Sequence, residues 1–137
     1  MTAKEYLSQT RLLDTRINSK IQQVAALNTL ATSATAALSG MTHNSNRATS
    51  KMADAVVKIV DLQREINEDI DTLVDLKRDI MRRIKSIPST EYQLILEKRY
   101  LCFMQWEQIA VAMGYSIQHI YRLHDRALNE FPAPDER

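Results

Sequence analysis

The residues best suited to chemistry lie in one short stretch, SIQHIYRLHDRAL, from Ser116 to Leu128. At helical spacing Ile120, Leu123, Ala127 and Leu128 fall on one side. The other side then carries Gln118, His119, Tyr121, Arg122, Asp125 and Arg126. Side chains of these types meet base edges in a DNA major groove. Gln118 can pair bidentately with adenine and Arg122 with guanine, with His119 and Tyr121 beside them. Ser116 and Arg126 are better placed for phosphate oxygens, which fix register and carry no sequence information.

Bond-breaking chemistry has no comparable set. His119 and His124 are five residues apart, which does not put two imidazoles on one helical face as a two-histidine metal site needs. His43 is remote from both. The single cysteine, Cys102, excludes an internal disulfide, suits a reducing compartment and lies among Tyr100, Leu101 and Phe103, so it reads as a buried structural thiol. No glycine-rich phosphate loop and no serine or cysteine nucleophile motif is present. The chain is therefore expected to have no catalytic residue, metal or cofactor, and not to be an enzyme.

A formal charge of +1 over 137 residues gives no global pull toward nucleic acid, so any such binding must come from local clusters. No stretch of 18 apolar residues occurs, so no membrane span or membrane partner is expected. The start of the chain lacks the pattern of a signal peptide, and the expected location is a bacterial cytoplasm.

The elements that must position the Ser116–Leu128 face are almost wholly helical, since two glycines and three prolines leave few breaks. A first helix is predicted over 2–38, with Leu13, Ile17, Ile21, Val24, Leu27, Ala31, Ala34 and Leu38 at three- and four-residue steps. A second begins near Met52, capped by Thr49 or Ser50, and ends before Pro88. Its ladders read Met52, Ile59, Ile66, Leu73, Ile80, Ile87 and Val56, Gln63, Ile70, Lys77, Ile84, the beat of a coiled-coil seam. Two helices of roughly 55 Å joined by the polar loop 39–50 predict an antiparallel hairpin. Residues 21–46 contain no Asp, Glu, Lys or Arg, which suits a homodimer face. The run KRDIMRRIK, Lys77 to Lys85, sets five basic residues against one acid and makes Arg82 and Lys85 candidates for phosphate contact.

After Pro88, Ser89 or Thr90 caps a helix through Leu101, followed by short helices over 106–113 and 116–130. A helix-turn-helix needs a small residue where its helices cross, and Ala110 supplies it. The turn needs a backbone able to take a positive φ, and Gly114 supplies that. Ile109, Met113, Tyr115, Ile120 and Leu123 stand at the spacings of the apolar clamp.

The stretch LEKRYLCFMQWEQIAVAMGYSIQHIYRLHDRAL resembles region 4 of bacterial sigma factors, the domain that binds the upstream promoter element. The likeness covers roughly Glu91 to Phe131. It rests on the Arg99–Tyr100 pair, the W-E-x-I-A…M-G-Y-S turn from Trp106 to Ser116, and Ile120, Leu123, Ala127 and Leu128 of the last helix. A coiled-coil half before such a domain is similar to late-transcription regulators of phages and prophages of Gram-positive bacteria. The resemblance implies a DNA-binding transcription regulator with double-stranded DNA and bacterial RNA polymerase as partners. It lacks the sigma region that binds the second promoter element, so a self-sufficient sigma factor is not expected. Two other readings stay open: a DNA-packaging subunit like a phage small terminase, and a polymerase- or sigma-interacting protein that holds no DNA itself. From Glu91 onward the chain has five basic residues and seven acids, which favours the last of these unless the hairpin or a second copy contributes charge.

The expected architecture is all-α: a coiled-coil hairpin over 1–87, a three-helix helix-turn-helix domain over 88–131, and a disordered tail over 132–137.

Overall fold

The computed structural model describes residues 1–40 and 45–135, with side chains described for all of these except 34–40, 45, 46 and 48. The fold is all-α, a long antiparallel helix pair followed by a smaller helical C-terminal part. Helix α1 spans Ala3–Gly40 and α2 spans Ser45–Lys85; α3 is Thr90–Leu96, continued by a π-turn over Glu97–Leu101, and α4 is Trp106–Met113 and α5 Ile117–Glu130.

The starts of α1 and α3 have a chemical cause. Thr2 and Glu5 form a capping box: the Thr2 hydroxyl accepts from Glu5 N at 3.1 Å, and the Glu5 carboxylate accepts from Thr2 N at 3.3 Å. Ser89 caps α3 by accepting from Tyr92 N at 3.3 Å. Helix α2 begins at Ser45 rather than at the expected Thr49 or Ser50. The segment SNRATS holds no glycine or proline, so nothing in it stops the helix from reaching further back. Of the expected loop 39–50, residues 41–44 lie outside the described residues, His43 among them.

By packing, the chain divides into one unit of residues 15–71 and another of residues 1–14 with 72–137. In the first, Ile17 and Ala55 are buried, and Lys20 pairs with Asp69 at 2.7 Å. Gln23, Ala26 and Leu27 face Lys58, Asp61 and Leu62 across a groove, which gives the antiparallel register. Met52, Ile59 and Ile66 are half-buried as predicted, but their companions are Ala55, Leu62 and Asp69, one residue before the expected Val56, Gln63 and Ile70, which are exposed. Both seams satisfy a heptad. One partner helix covers only a narrow stripe, and here it lies on the side that leaves Val56, Val57, Val60 and Ile70 at the surface.

In the second unit the ends of the long helices join the C-terminal helices in one core. Leu7 of α1, Ile80, Ile84 and Ile87 of and after α2, Ile95 and Leu96 of α3, Ile109 of α4, and Ile120, Leu123 and Ala127 of α5 are buried together. Here Ile84, on the second expected ladder, is fully covered. The Thr10 hydroxyl, also fully buried, is shared between the carbonyls of Leu7 at 2.8 Å and Tyr100 at 2.9 Å. The chain after Phe131, expected to be disordered, is tied down in its first part: Arg83 donates to the Pro132 carbonyl at 2.7 Å, and Ala133 packs against the core.

Candidate nucleic-acid interface

The turn between α4 and α5 has the geometry its residues call for. Gly114 sits at φ 74° and ψ 30°, the left-handed region, and its N–H donates to the Ala110 carbonyl at 3.0 Å. Tyr115 N also donates to Ala110 O at 3.0 Å, so the last carbonyls of α4 are satisfied by the turn itself. Ser116 then caps α5, its hydroxyl accepting from His119 N at 3.2 Å. Ala110 is buried at the crossing, Ile109, Ile120 and Leu123 are buried, and Met113 is half-buried against them. Tyr115 is the exception among the expected clamp residues. Its ring is exposed and lies edge-on to His119 at 4.6 Å, with its hydroxyl bonded to Glu91. A phenol keeps its polar tip wet or paired, so this position closes the turn from outside.

Helix α5 presents two distinct faces. Ile120, Leu123, His124 and Ala127 point into the core. Gln118, Tyr121, Arg122, Asp125 and Arg126 are exposed together on the opposite side, with His119 half-buried at their edge. Tyr121 is braced by Trp106, ring centroids 5.6 Å apart and edge-on. A braced aromatic and extended polar side chains on a helix locked at its N-terminus make a rigid surface for hydrogen bonding.

Behind that face lies a group whose role the spacing of α5 implied only in part. Trp106 meets His124 edge-on at 4.5 Å, and the Arg99 guanidinium covers the Trp106 ring at 4.4 Å. The Tyr100 hydroxyl and His124 Nε2 share a buried hydrogen bond of 2.7 Å. Burial above all, with the charges of Lys4 and Arg99 working against that of Asp125, lowers the His124 pKa to about 4. Burial likewise raises the Tyr100 pKa to about 12, so both are neutral at pH 7. His124 falls three and four residues from Ala127 and Ile120, a spacing that marks it as core. Among the described residues no cluster of His, Cys, Asp and Glu is placed to hold a metal ion.

The π-turn moves Cys102 out of the core. Cys102 N bonds back five residues to the Glu97 carbonyl at 2.9 Å, and the extra residue rotates the following side chains. Tyr100 turns inward, whereas Cys102 is exposed, contrary to its apolar surroundings in sequence.

Basic residues near the end of α2 are less free than their number suggests. Arg82 and Arg83 both bond Asp79, which also accepts from the Tyr6 hydroxyl. These bonds, that of Tyr6 foremost, hold the Asp79 pKa down at about 2. Lys77 donates to the Leu101 carbonyl at 3.1 Å and covers the Phe103 ring. Arg82 and Lys85, the expected phosphate contacts from this run, are both exposed, and Arg82 is the one already engaged.

The family model described as "Protein of unknown function (DUF1492)" matches residues 39–132. The chain belongs to the DUF1492 family. The DUF1492 match takes in all of α2 through α5 and stops short of Leu7 and Thr10. No curated protein and no solved structure matches the chain. Among the described residues no helix is long and apolar enough to cross a membrane.

Proposed function

We propose that this chain is a DNA-binding transcription regulator, acting in a bacterial cytoplasm, that reads a duplex promoter element with α5. The observation that carries the reading is the two-faced helix behind a left-handed glycine turn. Ile120, Leu123 and Ala127 fix α5 to the core, and Gln118, Tyr121 and Arg122 stand exposed as one surface. Arg122 is assigned to guanine, Gln118 to adenine, and His119 and Tyr121 to flanking edges. Ser116, Arg126, Arg82 and Lys85 are assigned to phosphates, with Arg82 exchanging Asp79 for DNA. The likeness of Glu91–Phe131 to sigma region 4 supports the same reading and adds RNA polymerase as a partner. The exposed Val56, Val57, Val60 and Ile70 supply an apolar face for a second copy. No catalytic step is assigned.

A second reading, a protein that binds polymerase or sigma factor without holding DNA, is favoured by the excess of acids after Glu91 and by the ties of Arg82 and Arg83 to Asp79. Incubation with random duplex DNA at about 50 and 150 mM salt separates the two, since phosphate contacts lose affinity steeply with salt. Retention of duplex that weakens with salt supports the first reading, and the mass of the complex gives the number of chains held. No retention at either salt sinks it and leaves the protein partner.

A further inference from the structure

We propose that Arg11 and Arg99 form a site for one phosphate group, which the DNA backbone supplies beside α5; the source of the phosphate rests on the DNA-binding reading above.

Both guanidiniums belong to the same compact unit. The Thr10 hydroxyl bonds the Tyr100 carbonyl, which brings Arg11, the next residue on α1, to the π-turn that carries Arg99. Arg11 Nη1 is buried and has no hydrogen-bond partner in the protein. A buried donor left without an acceptor is unfavourable, more so when the group is charged. Arg99 is half-buried, covers the Trp106 ring at 4.4 Å and donates through Nη1 to the Met104 carbonyl at 3.1 Å. That bond and the indole fix its plane and leave further guanidinium donors.

The two cations are close enough to feel each other. Burial first, and the charge of Arg11 second, lower the pKa of Arg99. Among the described residues no carboxylate pairs with either one within ion-pair distance, and the acid whose charge reaches Arg99, Glu107, is exposed on α4. Two half-buried guanidiniums without an ion-paired carboxylate are unfavourable alone and favourable around an oxyanion. Arginine forks match the oxygens of phosphate, and the low local dielectric strengthens the bonds.

Position ties the site to α5. Trp106, under Arg99, meets Tyr121 edge-on at 5.6 Å, and Tyr121 belongs to the exposed face of α5. A phosphate between Arg11 and Arg99 is then a strand contact next to the bases that Tyr121 and Arg122 face. Arg11 also supplies positive charge that a count from Glu91 onward leaves out, because it comes from the first helix.

Trp106 is the sole tryptophan and so reports on Arg99. The full chain is titrated with inorganic phosphate at constant ionic strength, chloride as the reference, and Trp106 fluorescence is followed. A saturable phosphate response is expected, weakened about tenfold or more in Arg11→Gln, on the scale of one charge-assisted bond. Binding to duplex DNA by Arg11→Gln should show a salt slope smaller by about one. Circular dichroism checks that the variant is folded. If it is not, Arg11→Lys takes its place, and the response should weaken severalfold, since an ammonium cannot fork.

Absence of a saturable response, or one equal in wild type and the folded variant, overturns the site. A response lost in the variant while the DNA salt slope stays unchanged overturns the backbone as its source. A response lost in the variant while wild type holds no duplex at all upholds the anion site and removes the DNA-binding reading.

Discussion

At the scale of single residues, His124 couples the fold to pH. Its pKa stands at about 4 in the folded chain against an ordinary 6.5. As pH falls below 6.5, the unfolded chain takes up the proton first, so unfolding is favoured. The contribution of His124 is complete above about pH 6.5, is lost as pH falls toward 4, and levels off below. Asp79, lowered to about 2, adds a separate loss between its ordinary 3.8 and 2. Urea midpoints of wild type should therefore drop between pH 6.5 and 4. His124→Gln should be less stable at pH 7 yet nearly flat across that window. An equal drop in the variant would assign the pH dependence elsewhere. The burial of His124 was readable from its place among Ile120, Leu123 and Ala127. Its partner Tyr100 was not, because the bond joins residues on two elements whose packing no periodicity encodes.

Helices and turns were legible to different degrees. The limits of α4 and the Ser116 cap of α5 followed from local chemistry, since a cap and a left-handed glycine need only their neighbours. The π-turn did not: one inserted residue carries no propensity signal, and with it Cys102, expected to be buried, is exposed. The seam of α2 was ambiguous for a third reason, as Val56 and Ile70 make as good a heptad as Ala55 and Leu62, and only the partner helix decides. The turn offers a clean test. A Cβ on Gly114 meets nothing within 4 Å, so Gly114→Ala adds backbone strain without a clash. We expect a loss of about 1–2 kcal/mol by thermal melting, and a smaller one for Gly114→Asn, which tolerates the left-handed region better. A neutral alanine variant would mean that the turn does not need a positive φ.

Over the whole molecule, the core that supports α5 includes residues from both long helices. Leu7 is fully buried among Ile80, Ile84 and the C-terminal helices, and Thr10 holds the Tyr100 carbonyl. Neither was visible as part of that core, because the sequence between them and Tyr100 spans about ninety residues and carries no marker of the contact. Leu7→Ala should cost about 2–5 kcal/mol, the range for emptying a packed leucine site. It should also lower the melting point of the C-terminal helices, read through Trp106 fluorescence. If Trp106 melts unchanged in that variant, the C-terminal helices stand without the hairpin.

If α5 reads base sequence, the duplexes it prefers share a motif. Selection from a random duplex pool at about 150 mM salt, followed by sequencing, should return an enriched motif for wild type. Arg122→Ala should lose preference at one base position, worth about 1–3 kcal/mol, and keep the rest. A motif recovered unchanged by Arg122→Ala, or no motif from wild type, would contradict the claim.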